Sequence, residues 1–200
     1  MTMRIDIINR ALIDIGQSPA IEDVPPGDIY VLQYETHIGA LVSAYPWTFQ
    51  TNLKQLARLA AAPDAQRKYA YDLPSDMSGT PRAVYPSSIC RTPTQDFEIR
   101  KQQLFTDWPE IWLRYTFAPD PARWPGYFTA LAVLVMKSVF ALSVREDAVL
   151  ARTFHEQAFG PPQMQGEGGK VAEAKAIDAG GKASDVIAIG SNPLTAVRNT

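Results

Sequence analysis

The stretch Ala44–Gln50, AYPWTFQ, lies where the periodicity of the sequence changes. Before it, from Val31 to Tyr45, apolar residues recur every three or four positions, as on one face of a helix. Because a residue that precedes proline is pushed out of the helical region, Tyr45 is the predicted last residue of this helix. Trp47 and Phe49 then alternate on one face of an extended chain. We interpret the stretch as a rigid structural joint rather than a ligand pocket, formed by Tyr45, Pro46, Trp47 and Phe49.

After the joint, from about residue 47 to residue 117, the apolar pattern has a period of two. Tyr69 and Tyr71 alternate with polar residues, and so do Leu113 and Tyr115. Prolines interrupt the pattern often, which favours short strands with prolines at their ends. The pattern predicts an antiparallel β-meander that includes a hairpin with the polar tip Arg100, Lys101, Gln102 and Gln103.

Helical periodicity returns on both sides of this β region. Predicted helices cover about residues 3–16, 28–45, 125–142, 145–159 and 170–179. Ser143 and Glu146 have capping-box spacing and predict the start of the fourth helix. The predicted fold class is α+β: an antiparallel bundle of about four helices with an inserted meander, over residues 1–180, followed by an extended C-terminal tail over residues 181–200.

The tail differs in composition from the rest of the chain. Seven of the twelve glycines lie between Gly160 and Gly190, and no aromatic residue follows Phe159. Such a segment buries too little apolar surface to order itself, yet apolar residues recur in it. We therefore expect the tail to order on a partner, with Val186, Ile187, Ile189, Leu194 and Val197 as apolar anchors and Arg198 as an ion-pair partner.

Composition narrows the possible classes of partner. A net charge of −2 gives no general attraction to phosphate backbones. The most apolar segment, residues 127–142, is shorter than the ~20 residues that cross a bilayer, so we expect a buried helix and no membrane partner. Arg4, Asp6 and Arg10 interrupt the start of the chain, unlike a signal peptide.

The motifs of common enzymes are incomplete here. Neither Gly169-Lys170 nor Gly181-Lys182 has the glycine five positions earlier that a phosphate-binding loop needs. His155-Glu156 lacks the second histidine of a zinc-protease helix, since Phe159 stands there. Cys90, the single cysteine, is a nucleophile only if His37 or His155 comes near it. We expect no enzyme, no cofactor and no metal.

An alternative function uses the aromatic residues of the predicted sheet. Bases of single-stranded nucleic acid stack on such residues when lysine and arginine are interleaved with them. The candidate aromatics are Tyr69, Tyr71, Trp108, Trp112, Tyr115 and Trp124, and the basic residues near them are Arg67, Lys68, Arg100, Lys101 and Arg114. The sequence does not place these basic residues on one face.

Several segments together resemble one family. In order they are INRALIDIGQSP, YPWTFQ, KYAYDLPSDM, DFEIRKQQLFTD and IWLRYTFAPDPARWPGYFTALA, followed by a helical hairpin. Over roughly residues 4–180 the chain resembles the head-to-tail adaptors of tailed bacteriophages, the tail tubular protein A group. The order and spacing of these segments together carry the resemblance.

The resemblance implies a structural role in the virion. Members form a ring, commonly of twelve copies, beneath the portal of the DNA-filled head; the ring extends the DNA channel and carries the tail nozzle. It implies assembly in the host cytoplasm and double-stranded DNA passing through the lumen without sequence recognition. The C-terminal anchors would dock on the portal protein, and the tips at Arg100–Gln103 and Arg82–Arg91 would contact the next tail component.

Overall fold

The computed structural model describes residues 4–20, 25, 27–60 and 67–180. Within them the chain is α+β, as the sequence predicts, with five α-helices and two small antiparallel sheets. The helices are α1 (Arg4–Asp14), α2 (Ile29–Ala44), α3 (Gly126–Ser143), α4 (Ala148–Phe159) and α5 (Gly169–Gly180). The strands are β1 (Thr51–Gln55), β2 (Tyr69–Asp72), β3 (Met77–Tyr85), β4 (Phe97–Arg100), β5 (Gln103–Thr106) and β6 (Trp112–Phe117).

Helix α3 is the central element of the helical region. It contacts α1, α2, α4 and α5, and its buried residues, such as Phe128, Leu131 and Phe140, have no exposed surface. By length and apolar composition it is the one described helix that could cross a membrane, but half of it is buried inside the protein. This burial fits the predicted core helix.

The helix ends show which capping residues the chain uses. Gly16, after α1, has φ +78°, a conformation that glycine adopts without strain. The predicted cap of α4 is wrong: Asp147 is the N-cap, and its carboxylate accepts a hydrogen bond from the Leu150 amide at 2.9 Å. Ser143 still belongs to α3, where its hydroxyl donates to the Val139 carbonyl. The helix therefore begins at residue 148 rather than 145.

The single meander predicted for residues 47–117 is replaced by two three-stranded sheets. One has the order β1-β6-β3 and the other β2-β5-β4, and all pairs are antiparallel. Among the strands of the described residues, only β4 and β5 are consecutive in sequence and paired with each other. The two sheets share one apolar cluster, in which Leu113 and Tyr115 of the first sheet join Tyr71 and Leu104 of the second. Splitting the strands lets each sheet cover the apolar face of the other.

A candidate assembly junction and its surroundings

The predicted joint lies between the helical region and the first sheet. Helix α2 ends at Ala44 rather than at the predicted Tyr45, which follows as the C-cap in an extended conformation. Trp47 is only 1% exposed. The indole N–H of Trp47 donates to the Leu41 carbonyl at 3.3 Å. The indole thus lies back against the helix that the chain has just left.

Aromatic rings surround Trp47 and fill the corner. Ring centroids lie 5.0 Å apart for Trp47 and Phe128, and 4.8 Å apart for both Phe49 and Trp124 against Phe128. Tyr45 makes an edge contact with Trp47 at 4.8 Å. Such pairs contribute about 0.5–1.5 kcal/mol each beyond their buried area. The cluster therefore holds the joint against the first turn of α3.

The chain at the joint turns back instead of extending as predicted. Residues 48–50 form a 3₁₀ turn, which brings the Gln50 side chain beneath the end of α2. Its amide nitrogen donates to the carbonyls of Tyr45 at 2.9 Å and Val42 at 3.3 Å. The last carbonyls of a helix have no hydrogen-bond donor within the helix. The side-chain amide of the buried Gln50 supplies the missing donor.

A buried carboxylate connects α5 to the same joint. Asp178 is 2% exposed and accepts hydrogen bonds from the Thr48 amide at 3.0 Å and the Thr48 hydroxyl at 2.7 Å. The Tyr127 hydroxyl donates to it at 2.6 Å. We call Thr48, Tyr127 and Asp178 the carboxylate clamp. It joins the 3₁₀ turn, the first turn of α3 and the last turn of α5.

The environment of the clamp keeps Tyr127 protonated. Burial, followed by the hydrogen bond to the Asp178 carboxylate, raises the pKa of Tyr127 to about 12. Ionisation would place a second negative charge against the carboxylate and remove a donated hydrogen bond. The protonated hydroxyl is therefore the form that stabilises the clamp.

Three glycines allow α5 to reach this position. At Gly169, with φ +56°, a Cβ would lie 2.5 Å from the Gln157 carbonyl oxygen. A Cβ at Gly160 would lie 2.8 Å from the Gly168 Cα, and a Cβ at Gly168 would collide with the Met164 sulfur. The Gly168 amide closes the loop by donating to the Phe159 carbonyl at 3.0 Å. This glycine-rich run is thus a close-packed turn that directs α5 back onto α3 and α4.

The four residues predicted to contact a tail component lie together at the exposed β4–β5 hairpin tip. Lys101 and Gln102 form its turn with φ values of +46° and +63°. The Arg100 guanidinium binds the Glu98 carboxylate at 2.6 Å and thereby holds the pKa of Glu98 below its usual range. Gln103 donates to Asp72 at 3.1 Å. The tip therefore exposes Arg100 and Lys101 to solvent at the end of the paired strands β4 and β5.

The second segment predicted to contact a tail component, residues 82–91, covers the end of β3 and the turn that follows. Ile89 is 69% exposed there, and Cys90 is half-buried with φ +50°. Both histidines lie elsewhere, on α2 and α4, where His37 and His155 line one groove. The structure thus places Cys90 on a β turn and the histidines on the helices.

The aromatics of the alternative function do not share one open face. Tyr71 and Tyr115 are each 1% exposed within the cluster between the sheets, and Tyr71 donates to the Trp108 carbonyl at 2.8 Å. Arg67 binds the carboxylates of Asp96 and Asp107, which raises the pKa of its guanidinium. Two of the six aromatics are therefore buried inside the fold, and Arg67 is held in ion pairs at the surface.

The anchors predicted for portal docking, from Val186 to Arg198, lie outside the described residues. Within the described ranges, no group of three or more histidine, cysteine or acidic residues is arranged to hold a metal ion. No family model matches the chain, and no curated protein is significantly similar to it.

None of the three residues of the carboxylate clamp is among the site residues predicted from the sequence. One signal for it exists in the sequence: Val171, Ala174 and Asp178 follow helical spacing, so Asp178 occupies a position on the buried stripe of α5. A carboxylate at such a position needs a partner. Its partner Thr48, however, lies 130 positions earlier in the chain.

Proposed function

We propose that the protein is a head-to-tail adaptor of a tailed bacteriophage. In this role it is a structural virion component at the head–tail junction, assembled in the host cytoplasm. It forms a ring beneath the portal, extends the DNA channel and joins the tail. The observation that carries the proposal is the joint with its carboxylate clamp, which fixes the helical region, the first sheet and α5 in one geometry.

A connector needs such a geometry because its two ends bind different partners. Helix α5 is the last described element before residues 181–200, and Asp178 holds it against the start of the β region. In this proposal residues 1–180 form an adaptor domain whose helices build an antiparallel bundle of about four. Residues 181–200 form a tail that docks on the portal, and the hairpin tip at Arg100–Gln103 contacts the next tail component.

The proposed adaptor acts as a ring of identical copies. Head-to-tail contacts between copies close into a ring when the rotation from one copy to the next is 360° divided by the number of copies. The family resemblance suggests a ring of twelve copies. Once one tail is docked, the others act at high effective concentration, so weak contacts give firm attachment. A net charge of −2 leaves DNA free to slide through the lumen, whereas a basic chain would grip its phosphates.

The test uses full-length variants and portal-containing heads. Val186→Asp, Ile187→Asp and Ile189→Asp together should abolish co-sedimentation with heads, because the apolar anchors become charged. The matched control, Ser184→Asp with Ser191→Asp, adds charge to the same segment at polar positions and should still bind. Normal head binding by the triple variant would refute the docking assignment. Native mass measurement of wild-type protein with portal protein gives the copy number.

The hairpin tip has its own test. Arg100→Ala with Lys101→Ala should leave head binding intact and weaken attachment of the next tail component. An oligonucleotide titration at low salt, followed by tryptophan fluorescence, discriminates the alternative function. A saturable change that falls with salt would favour the single-stranded nucleic-acid module over the adaptor.

A further inference from the structure

An apolar groove runs between α2 and α4 with α3 as its floor. Its volume is about 520 Å³, and Gln33, His37, Val139, Leu142, Ala148 and Ala151 contribute to its lining. Leu142 is 58% exposed even though it lies on the central helix. The two alanines leave room for another backbone to come close. The groove therefore offers apolar surface with space above it.

The groove continues along α4 towards the glycine turn. Arg152 and His155 line both it and a second depression of about 270 Å³ that extends to Gly160 and Pro162. Arg152 is already paired with Glu156 at 2.8 Å, so the wall carries little net charge. The combined trough has roughly the length of α4, about 18 Å at 1.5 Å per residue. It suits a short, uncharged apolar segment.

We propose that this trough holds Val186–Ile189 of the same chain, the sequence VIAI, when no partner is bound. Twenty residues follow Gly180, and VIAI is the most apolar run among them. Asp178 contacts Tyr127 in the first turn of α3, whereas the groove lies beside residues 138–142. That offset is about 17 Å along α3 to Ser138 and about 23 Å to Leu142. The six residues from Gly180 to Val186 span up to about 20 Å, so the run reaches the trough.

This docking has a consequence for assembly, which rests on the proposed function. The same apolar residues are the predicted anchors on the portal, so they can occupy the trough or the portal but not both. A free chain would keep its anchors covered and so avoid presenting an apolar segment to other proteins. Portal binding would then release the trough.

The test is a disulfide-trapping experiment on the full chain without portal, so its outcome is independent of the proposed function. In a Cys90→Ser background, Leu142→Cys is combined with Ile187→Cys. The control pair combines Leu53→Cys with Ile187→Cys. Leu53 is 45% exposed and lies five positions after Thr48, which contacts Asp178, so a freely moving tail reaches it readily.

Docking predicts an intramolecular disulfide in the Leu142 pair that forms about tenfold faster than in the Leu53 pair, because docking raises the local thiol concentration. Equal rates, or a faster Leu53 pair, would overturn the proposal. Cross-linked dimers whose yield rises with protein concentration would also overturn it, since the occupant would then be a second copy.

A second measurement avoids introduced thiols. His37 and His155 are the only histidines, so their Hε1 ring protons give two NMR signals, both from residues of the trough. The triple aspartate variant at Val186, Ile187 and Ile189 should shift both signals relative to wild type. The Ser184→Asp and Ser191→Asp control should leave them in place. Signals that stay unchanged in the triple variant would contradict docking.

Discussion

Replacing Asp178 tests whether the carboxylate clamp stabilises the junction. Asp178→Ala leaves the Thr48 amide, the Thr48 hydroxyl and the Tyr127 hydroxyl without their buried acceptor. Each buried polar group left unsatisfied costs about 1–3 kcal/mol. Two gains oppose this cost: the variant no longer buries a charge, and a carboxylate near the C-terminus of α5 is disfavoured by about 0.3–1 kcal/mol.

The net expectation is a loss of about 3 kcal/mol in the free energy of unfolding for Asp178→Ala. For Asp178→Asn it is about 1.5 kcal/mol, because the amide keeps one acceptor oxygen but turns two N–H donors towards a site of donors. Urea unfolding is followed by tryptophan fluorescence, since Trp47 and Trp124 lie at the junction. With a slope of roughly 1–3 kcal/mol/M, the alanine variant's midpoint falls by about 1 M or more.

The matched control is Glu173→Ala, an exposed acidic residue of the same helix that pairs with Lys170. It should change stability by less than about 0.5 kcal/mol. A double-mutant cycle with Thr48→Val should give a coupling energy with Asp178→Ala of about 1–3 kcal/mol. If Asp178→Asn matched wild type, or if the coupling were zero, the clamp would not stabilise the fold.

Three further predictions concern the same region and the hairpin. The folded chain keeps the Tyr127 proton to about pH 12, whereas an unfolded tyrosine loses its proton near pH 10, so stability is full below pH 10 and falls as pH rises towards 12. Urea midpoints across this range should fall less steeply for Tyr127→Phe, and equal slopes would contradict the assignment. Trp47→Ala should lower the free energy of unfolding by about 3–5 kcal/mol, because a fully buried indole leaves a large cavity; an unchanged midpoint would favour a pocket instead. Lys101→Asn with Gln102→Gly should raise the midpoint by an amount equivalent to about 0.5–1 kcal/mol, since both positions have positive φ, and a lower midpoint would show that the side chains matter more than the turn.

Much of the local structure follows from the sequence because its causes are local. The apolar spacing between Val31 and Leu41 predicts α2, and the alternation at Leu113 and Tyr115 predicts a strand with one buried face. The polar tip Arg100–Gln103 that follows Phe97 and Ile99 predicts a hairpin, which β4 and β5 form. Each pattern spans only a few residues, so neighbouring side chains determine it.

The arrangement of these elements depends on contacts between distant residues. Strand β6 pairs with β1 and β3 rather than with its neighbour β5, because the apolar faces of two sheets cover each other. The clamp joins Thr48 to Asp178 across 130 positions. Likewise, His37 and His155 line one groove only because α2 and α4 flank α3. Periodicity identifies which face of an element is buried but does not identify its partner.

The position of Asp178 also determines how the protein bears a pulling force. Tension applied to the chain after Gly180 reaches Asp178, which lies two positions before Gly180. From Asp178 the tension passes directly to Thr48 and Tyr127 through their hydrogen bonds. The backbone hydrogen bonds of α5 before that point carry little of the load. In a single-molecule stretching experiment, α5 should therefore stay folded until the clamp breaks, and it should then detach in one step rather than unwind turn by turn.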